Sequence, residues 1–291
     1  MNIRRLTYPA LTAAALCAFA ANSILCRLAL GGGRIGAVEF TVVRLISGAA
    51  LLFALFFPRK RLEGRSSAPA GALLFGYAIL FSLAYLKVGA GAGALVLFGS
   101  VQISMLTAGM ILGHRITLFE TVGAVVAFCG LCVLVVPSAS SPPILGCILM
   151  GGAGAAWGLY TVLGKSVDDP YSRTMGAFAA ASVLGVLCLP LAHGFIGSAY
   201  GVALAAVSGA VTSALGYVIW FLALRRLSVL QAACVQLSVP VLAAAGGAWL
   251  LSETISPRLV LAGGIVFLGI GISLWAKASP SSHSLDDPPE L

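Results

Sequence analysis

The sequence predicts an all-α integral membrane protein with ten transmembrane helices, arranged as two inverted five-helix repeats. Three observations support this: long apolar runs, very short polar connections between them, and a second half that echoes the first. Hydrophobic residues make up 60% of the 291 positions and charged residues only 9%. A soluble helical domain needs polar faces along each helix, so this composition excludes a soluble enzyme or binding domain.

Ten apolar runs are each close to the twenty or so residues that a helix needs to cross about 30 Å of hydrocarbon. Their connections are too short to hold a soluble domain, so consecutive helices must run antiparallel. A β-barrel would instead show alternating stretches of about ten residues. The predicted spans are Tyr8–Leu30, Gly36–Phe57, Ala70–Leu86, Ala90–Gly113, Leu118–Val136, Ile144–Gly164, Tyr171–Leu191, Ala199–Leu224, Val229–Leu251 and Arg258–Ala276.

The two ends of the chain differ in character. Arg4 and Arg5 precede an Ala-rich run, as in a signal peptide, but the run continues to Leu30 and is too long to be a cleaved apolar region. We therefore expect it to be retained as the first helix. Residues 279–291 are rich in Ser, Pro and Asp, which predicts a disordered cytoplasmic tail.

The placement of the basic residues predicts the orientation. The formal net charge is +8. With a cytoplasmic N-terminus, twelve Lys and Arg residues fall in inside segments and four in outside segments, as the positive-inside rule requires. Both termini are then cytoplasmic. Because the charges are spread over many loops and form no basic patch, nucleic-acid binding is not predicted.

The internal repeat emerges when the sequence is shifted by 138 residues, or by 139 beyond the first cytoplasmic loop. Cations at helix ends and aromatic residues then coincide. The informative pairs are Phe19 with Trp157, Asn22 with Tyr160, Arg27 with Lys165, Phe81 with Trp220 and Lys87 with Arg226. Residues 1–137 form the first predicted repeat and residues 138–278 the second. Five spans per half place the halves in opposite orientations, which is typical of secondary transporters.

Several local motifs resemble one transporter group. The residues that carry this resemblance lie in four spans. They are Arg44 in the second span, Trp157-Gly158 and the terminal Lys165 in the sixth, and Pro240, Leu251-Ser-Glu253 and Gly263-Gly264 in the last two. Over about residues 8–277 they resemble the EamA-type ten-helix exporters of the drug/metabolite transporter superfamily. The resemblance implies export of metabolites or drugs from the bacterial inner membrane, and the aromatic and neutral amino acid exporters are the branch that fits best. The first half departs from the pattern at His114, opposite Glu253, and at Val101, opposite Pro240, so gating is expected to differ between the halves.

Polar and aromatic side chains in mid-span are the candidates for contact with a substrate. They lie at related places in the two halves, which favours a shared central cavity over the alternative of packing or interface residues. Such a cavity suits an amphipathic molecule, foremost a neutral or aromatic amino acid. A cationic drug bound through cation–π contacts is the alternative. The candidates are Phe19, Asn22, Tyr77, Phe81, Gln102, Trp157, Tyr160, Tyr217, Trp220 and Gln236.

Four further residues are candidates for coupling or gating. Arg44 either anchors the second helix at the interface or binds helix carbonyls or a carboxylate, and Pro240 is expected to kink the ninth span. No Asp falls within a span, so Glu39 and Glu253, near helix ends, are the candidate proton carriers, with terminal ion pairs as the alternative. The sequence is compatible both with facilitated diffusion and with proton-driven export.

Other classes of function lack the residues that they need. No hydrolase or metalloprotease motif and no His/Asp cluster occurs at depth, so neither an enzyme, a metal site nor a cofactor is predicted. The seven cysteines lie in apolar runs, where free Cys behaves as a small hydrophobe. A channel would need a charged ring or a carbonyl filter. One chain holds a complete pathway, so a monomer is sufficient and a dimer is left open.

Overall fold

The computed structural model describes residues 3–57, 64–88, 90–113, 116–136, 143–165, 167–192, 197–250 and 256–275. Glu253, the predicted tail 279–291 and most of the linker between the two halves lie outside these residues. Within the described ranges the chain is helical apart from turns and one isolated β-bridge between Ile35 and Gly197.

Twelve α-helices, a π-helical segment and a short 3-10 turn account for the described elements. In chain order they are α1 (Ile3–Leu30), α2 (Ala37–Phe56), α3 (Gly64–Tyr85), α4 (Ala90–Ile111), α5 (Leu118–Val135), α6 (Ile144–Lys165), α7 (Pro170–Leu187), the 3-10 turn Leu189–Leu191, α8 (Ala199–Val207), the π segment Ser208–Leu215, α9 (Gly216–Leu224), α10 (Val229–Gln236), α11 (Ser238–Leu250) and α12 (Pro257–Trp275).

These elements form the predicted helical membrane fold. Nine helical spans in the described part are long and apolar enough to cross a bilayer, counting α8, the π segment and α9 as one and α10 with α11 as another. The remaining helix, α7, is 18 residues long, the same length as α5. It is less apolar because Ser172, Arg173 and Thr174 lie near its start.

Two of the ten spans are interrupted, one of them in a way the sequence did not predict. The eighth span widens into a π-helix over Ser208–Leu215, a feature that often accompanies functional sites. The ninth span breaks at Leu237, between α10 and α11. Pro240 was expected to kink this span. The break falls three residues earlier, near the carbonyl of Gln236, with which the Pro240 ring would clash in a regular helix.

The packing of the spans is reciprocal between the two halves. Helices α3 and α4 pack on α6, and correspondingly the eighth span and α11 pack on α1. Helix α3 contacts α7, and the eighth span contacts α2 in the same way. The pairs α5–α12, α2–α7 and α4–α10 join equivalent helices. Exchanging the two halves would reproduce this set of contacts, as expected of a pseudo-two-fold axis.

The two ends of the bundle can be distinguished by the course of α1. We call the end where α1 begins the near end and the end where it finishes, around Gly31–Gly36, the far end.

At the side of the bundle, α5 and α12 pack backbone to backbone. A Cβ on Gly123 would lie 2.5 Å from the carbonyl oxygen of Gly269, and one on Gly269 would lie 2.5 Å from that of Gly123. Only glycine permits so close an approach.

Candidate functional site

Aromatic rings from α1, α3, α6 and α9 meet at the centre of the bundle. The ring centroid of Trp157 lies 5.4 Å from Phe19, 5.0 Å from Tyr77 and 4.8 Å from Tyr217. The edge-to-face contact of Phe19 with Trp157 is nearly perpendicular, at 89°, an arrangement that aromatic quadrupoles favour. We call these four rings the aromatic cage. Of the sequence pairs that suggested a shared cavity, Phe19 and Trp157 therefore meet in space.

The cage lies at one end of two adjoining cavities, which share several lining residues. The inner cavity, of about 40 Å³, is lined by the cage together with Asn22, Phe81 and Gln236. It shares Ser23, Phe81 and Val239 with a larger vestibule of about 220 Å³, which extends past Tyr85 and Pro240 to the exposed Arg27. The vestibule thus reaches the far end. Its other walls are mostly apolar, including Leu97, Phe98, Leu134 and Met150.

Two polar groups of the inner cavity are fixed by hydrogen bonds. The indole Nε1 of Trp157 donates to Oε1 of Gln236 at 2.6 Å, and Gln236 Nε2 donates back to the Ala232 carbonyl at 3.0 Å. Asn22 Oδ1 accepts from the hydroxyls of Ser208 at 2.6 Å and Thr212 at 3.3 Å. These bonds hold both amides in one orientation, which pre-organises the cavity wall.

Arg44 points into the bundle and does not extend to the interface. Its side chain is 1% exposed. Nε donates to the Ser213 hydroxyl at 2.9 Å, Nη2 donates to the Tyr217 hydroxyl at 2.7 Å, and the guanidinium lies 5.4 Å from the centre of the Tyr77 ring. The interfacial-anchor alternative is therefore wrong. Arg44 sits directly behind two rings of the aromatic cage.

Three sequence candidates lie beside the inner cavity without lining it. Gln102 donates through Nε2 to the Ala233 carbonyl at 3.0 Å and so joins α4 to α10. Trp220 is fully buried against Phe19, with 5.6 Å between ring centroids. Tyr160 packs on Tyr217 at 6.2 Å. These residues support the cage from outside.

The gating candidates are dispersed. Glu39 is buried in the first turn of α2, where its carboxylate lies against Gly36 at the far end. Pro240 lines the vestibule. Neither lines the inner cavity, and Glu253 is outside the described residues.

The near end is closed by contacts between α6 and the eighth span. Lys165 Nζ donates to the carbonyls of Leu224 at 3.3 Å and Leu227 at 2.5 Å, where α9 ends. One turn earlier, Phe221 packs edge-on against Tyr160 and fills the space above Gly164. Access to the cage in this conformation is consequently from the far end.

Some residues of the site were not among the sequence candidates. Ser208, Thr212 and Ser213 supply the hydroxyls that hold Asn22 and Arg44. The sequence could have indicated these residues, because polar side chains within an apolar membrane span face other protein groups. At the near end, the buried Glu120 forms a capping box with Thr117 at the start of α5, and its carboxylate accepts a hydrogen bond from the Ser228 hydroxyl.

Comparison with known proteins supports a transporter. A model of the EamA-like transporter family matches residues 144–275. An uncharacterized protein of Pseudomonas aeruginosa is 46% identical over 267 residues, which cover 91% of this chain and 93% of that protein. The chain belongs to the EamA-like transporter family. It is a multi-pass membrane transporter and not an enzyme.

More distant relatives agree with this assignment. The threonine/homoserine exporter RhtA of Escherichia coli K12 is 28% identical over 271 residues, 87% of each protein. A solved crystal structure can be superposed on this chain with a TM-score of 0.78 at 17% sequence identity. The match covers 94% of this chain and 98% of the other, so the two proteins share a fold.

Proposed function

We propose that this EamA family transporter exports small amphipathic metabolites, foremost neutral and aromatic amino acids, across the bacterial inner membrane. The observation that carries the proposal is the aromatic cage at the end of an apolar vestibule. The apolar vestibule, whose walls include Phe81 and Tyr85, accepts the apolar part of such molecules, and the fixed amides beside the cage bind their polar part. The relationship to a threonine/homoserine exporter supports an amino acid as cargo.

We further propose that transport proceeds by alternating access between two repeats, residues 1–137 and 138–278, with both termini in the cytoplasm. The far end is then periplasmic, and the structure corresponds to a state open to that side. The reciprocal packing of the halves supports this mechanism, because exchanging the conformations of two inverted repeats converts one open side to the other. One chain contains the whole cavity, so we take the monomer to be sufficient.

Proton coupling is not required by this proposal. The buried glutamates of the described part, Glu39 and Glu120, lie near opposite ends of the bundle and neither lines the inner cavity. A carrier without an acid in its substrate cavity can release a metabolite down the cytoplasmic gradient. The flux measured with and without a pH gradient decides between the two modes.

The test is uptake of radiolabelled phenylalanine and threonine into proteoliposomes. Trp157→Ala removes the ring that touches the other three members of the cage and also breaks the bond to Gln236. We expect the apparent affinity for phenylalanine to fall by on the order of tenfold or more. Trp249→Ala is the matched control, since Trp249 is 81% exposed on α11. Equal flux in the two variants, or no saturable flux in the wild type, would refute the proposal.

A further inference from the structure

We propose that the inner cavity is a carboxylate site, so that cargo enters the cage with its carboxylate foremost and leaves its side chain in the vestibule. This inference rests on the proposed function and specifies the chemical class of its substrate. It assigns the cargo-orienting role to Asn22, Tyr217 and the buried Arg44. A cation without a carboxylate is then a poor ligand.

The first argument is the uncompensated charge of Arg44. Its contacts in the described part of the chain are the hydroxyls of Ser213 and Tyr217 and the ring of Tyr77, and none of them is a carboxylate. Its Nη1 is buried without a hydrogen-bond partner there. A buried charge is costly unless an opposite charge approaches it. Arg44 does not itself line the inner cavity, but its neighbours Tyr77 and Tyr217 do, so an anionic group in that cavity lies one ring away and offsets the charge.

The second argument is the supply of unused donors at the cavity wall. Asn22 Oδ1 accepts from up to three hydroxyls, of Ser208, Thr212 and Ser213, whereas its Nδ2 has no partner among the described residues. Tyr217 lines the same cavity, and its hydroxyl accepts from Arg44, which ties this wall to the guanidinium. An ionised carboxylate only accepts hydrogen bonds and matches such a set of donors.

The third argument is size. About 40 Å³ is room for roughly three water-sized groups, which fits a carboxylate and does not fit an aromatic ring. The apolar vestibule, at about 220 Å³, is the larger space and takes the side chain. No Asp or Glu lines either cavity within the described residues. The site therefore has the polarity to hold an anion and lacks a counter-charge for a lone ammonium.

The experiment measures binding, so that it does not depend on transport of any amino acid. Purified protein is titrated with 3-phenylpropionate, which has a carboxylate and no amine, and with phenethylamine, which has an amine and no carboxylate. Tryptophan fluorescence reports occupancy of the cage. We expect 3-phenylpropionate to bind more tightly than phenethylamine by on the order of tenfold or more, the effect of a charge-assisted hydrogen bond.

The decisive variant is Asn22→Asp. Asp keeps the oxygen that accepts from Ser208 and Thr212, so the fold is retained, but it replaces the two N–H donors with a negative oxygen. We expect 3-phenylpropionate to bind at least about tenfold more weakly and phenethylamine to bind no more weakly.

The outcomes separate this inference from the proposed function. If 3-phenylpropionate binds and Asn22→Asp weakens it while amino acids are not transported, the carboxylate site stands and the amino acid proposal falls. If phenethylamine binds as tightly as 3-phenylpropionate, or Asn22→Asp leaves the carboxylate affinity unchanged, the inference is overturned.

Discussion

Lys165 holds the near end closed, and removing its charge should open that end. Its ammonium donates to the carbonyl of Leu224, the last residue of α9, and to that of Leu227 in the following turn. Carbonyls at the end of a helix carry the negative end of its dipole, which favours a cation there. Lys165→Met keeps an apolar side chain of similar length and deletes both bonds.

The size of the effect follows from the geometry. A hydrogen bond to a charged group contributes about 1.5–3 kcal/mol. Because Lys165 is only half-buried, water replaces part of each bond, and we take about 2 kcal/mol for the two together. That free energy corresponds to about a 30-fold shift in the equilibrium between closed and open near ends.

Hydrogen–deuterium exchange in proteoliposomes or detergent measures this shift directly. We expect peptides spanning residues 221–231 to exchange faster in Lys165→Met than in the wild type. Arg27→Met is the control, because the Arg27 side chain is exposed at the far end and forms no hydrogen bond with the described residues. If the near-end peptides of a folded Lys165→Met protein exchange at the wild-type rate, Lys165 does not hold the gate.

Two further predictions concern the helices themselves. Gly269→Ala should destabilise the protein by about 1–3 kcal/mol, because a Cβ there collides with the backbone of α5 at Gly123; Gly271→Ala, with nothing within 4 Å, is the control, and equal melting temperatures would contradict the close packing. Pro240→Ala should restore an N–H that can reach the Gln236 carbonyl and straighten the ninth span. We expect a higher melting temperature and slower counterflow, whereas faster counterflow would show that the break is not needed for movement.

The number of spans and the aromatic cage were predictable from the sequence. Apolar length is sufficient to place a spanning helix, and aromatic residues at related positions of two repeats converge when both lie close to the axis that relates the repeats. Phe19 and Trp157, 138 residues apart in the sequence, indeed lie 5.4 Å apart. Spacing alone was not sufficient for the related pair Asn22 and Tyr160, because Asn22 lines the inner cavity and Tyr160 lies outside it.

Side-chain direction was the part that the sequence could not supply. In a helix that is apolar all round, no polar stripe marks the face towards the protein. Gln102 and Gln236 looked equivalent, yet only Gln236 lines the inner cavity. The orientation of Arg44 depends on the π segment, because the Ser213 hydroxyl in that segment accepts a hydrogen bond from Arg44 Nε. No local sequence signal distinguished this segment from a regular helix.

The candidate site is chemically less symmetric than the fold, and this asymmetry has a consequence for transport. Under the 138-residue shift Arg44 corresponds to Ser182, whose hydroxyl donates to the Phe178 carbonyl of its own helix. Both halves thus contribute rings, but only the first contributes a cation. A fully symmetric cavity would accept a zwitterion equally well in two opposite orientations. With the proposed carboxylate site, a single buried guanidinium would remove that degeneracy. In the proposed alternating-access cycle, the cargo would then keep the same carboxylate partners in both access states.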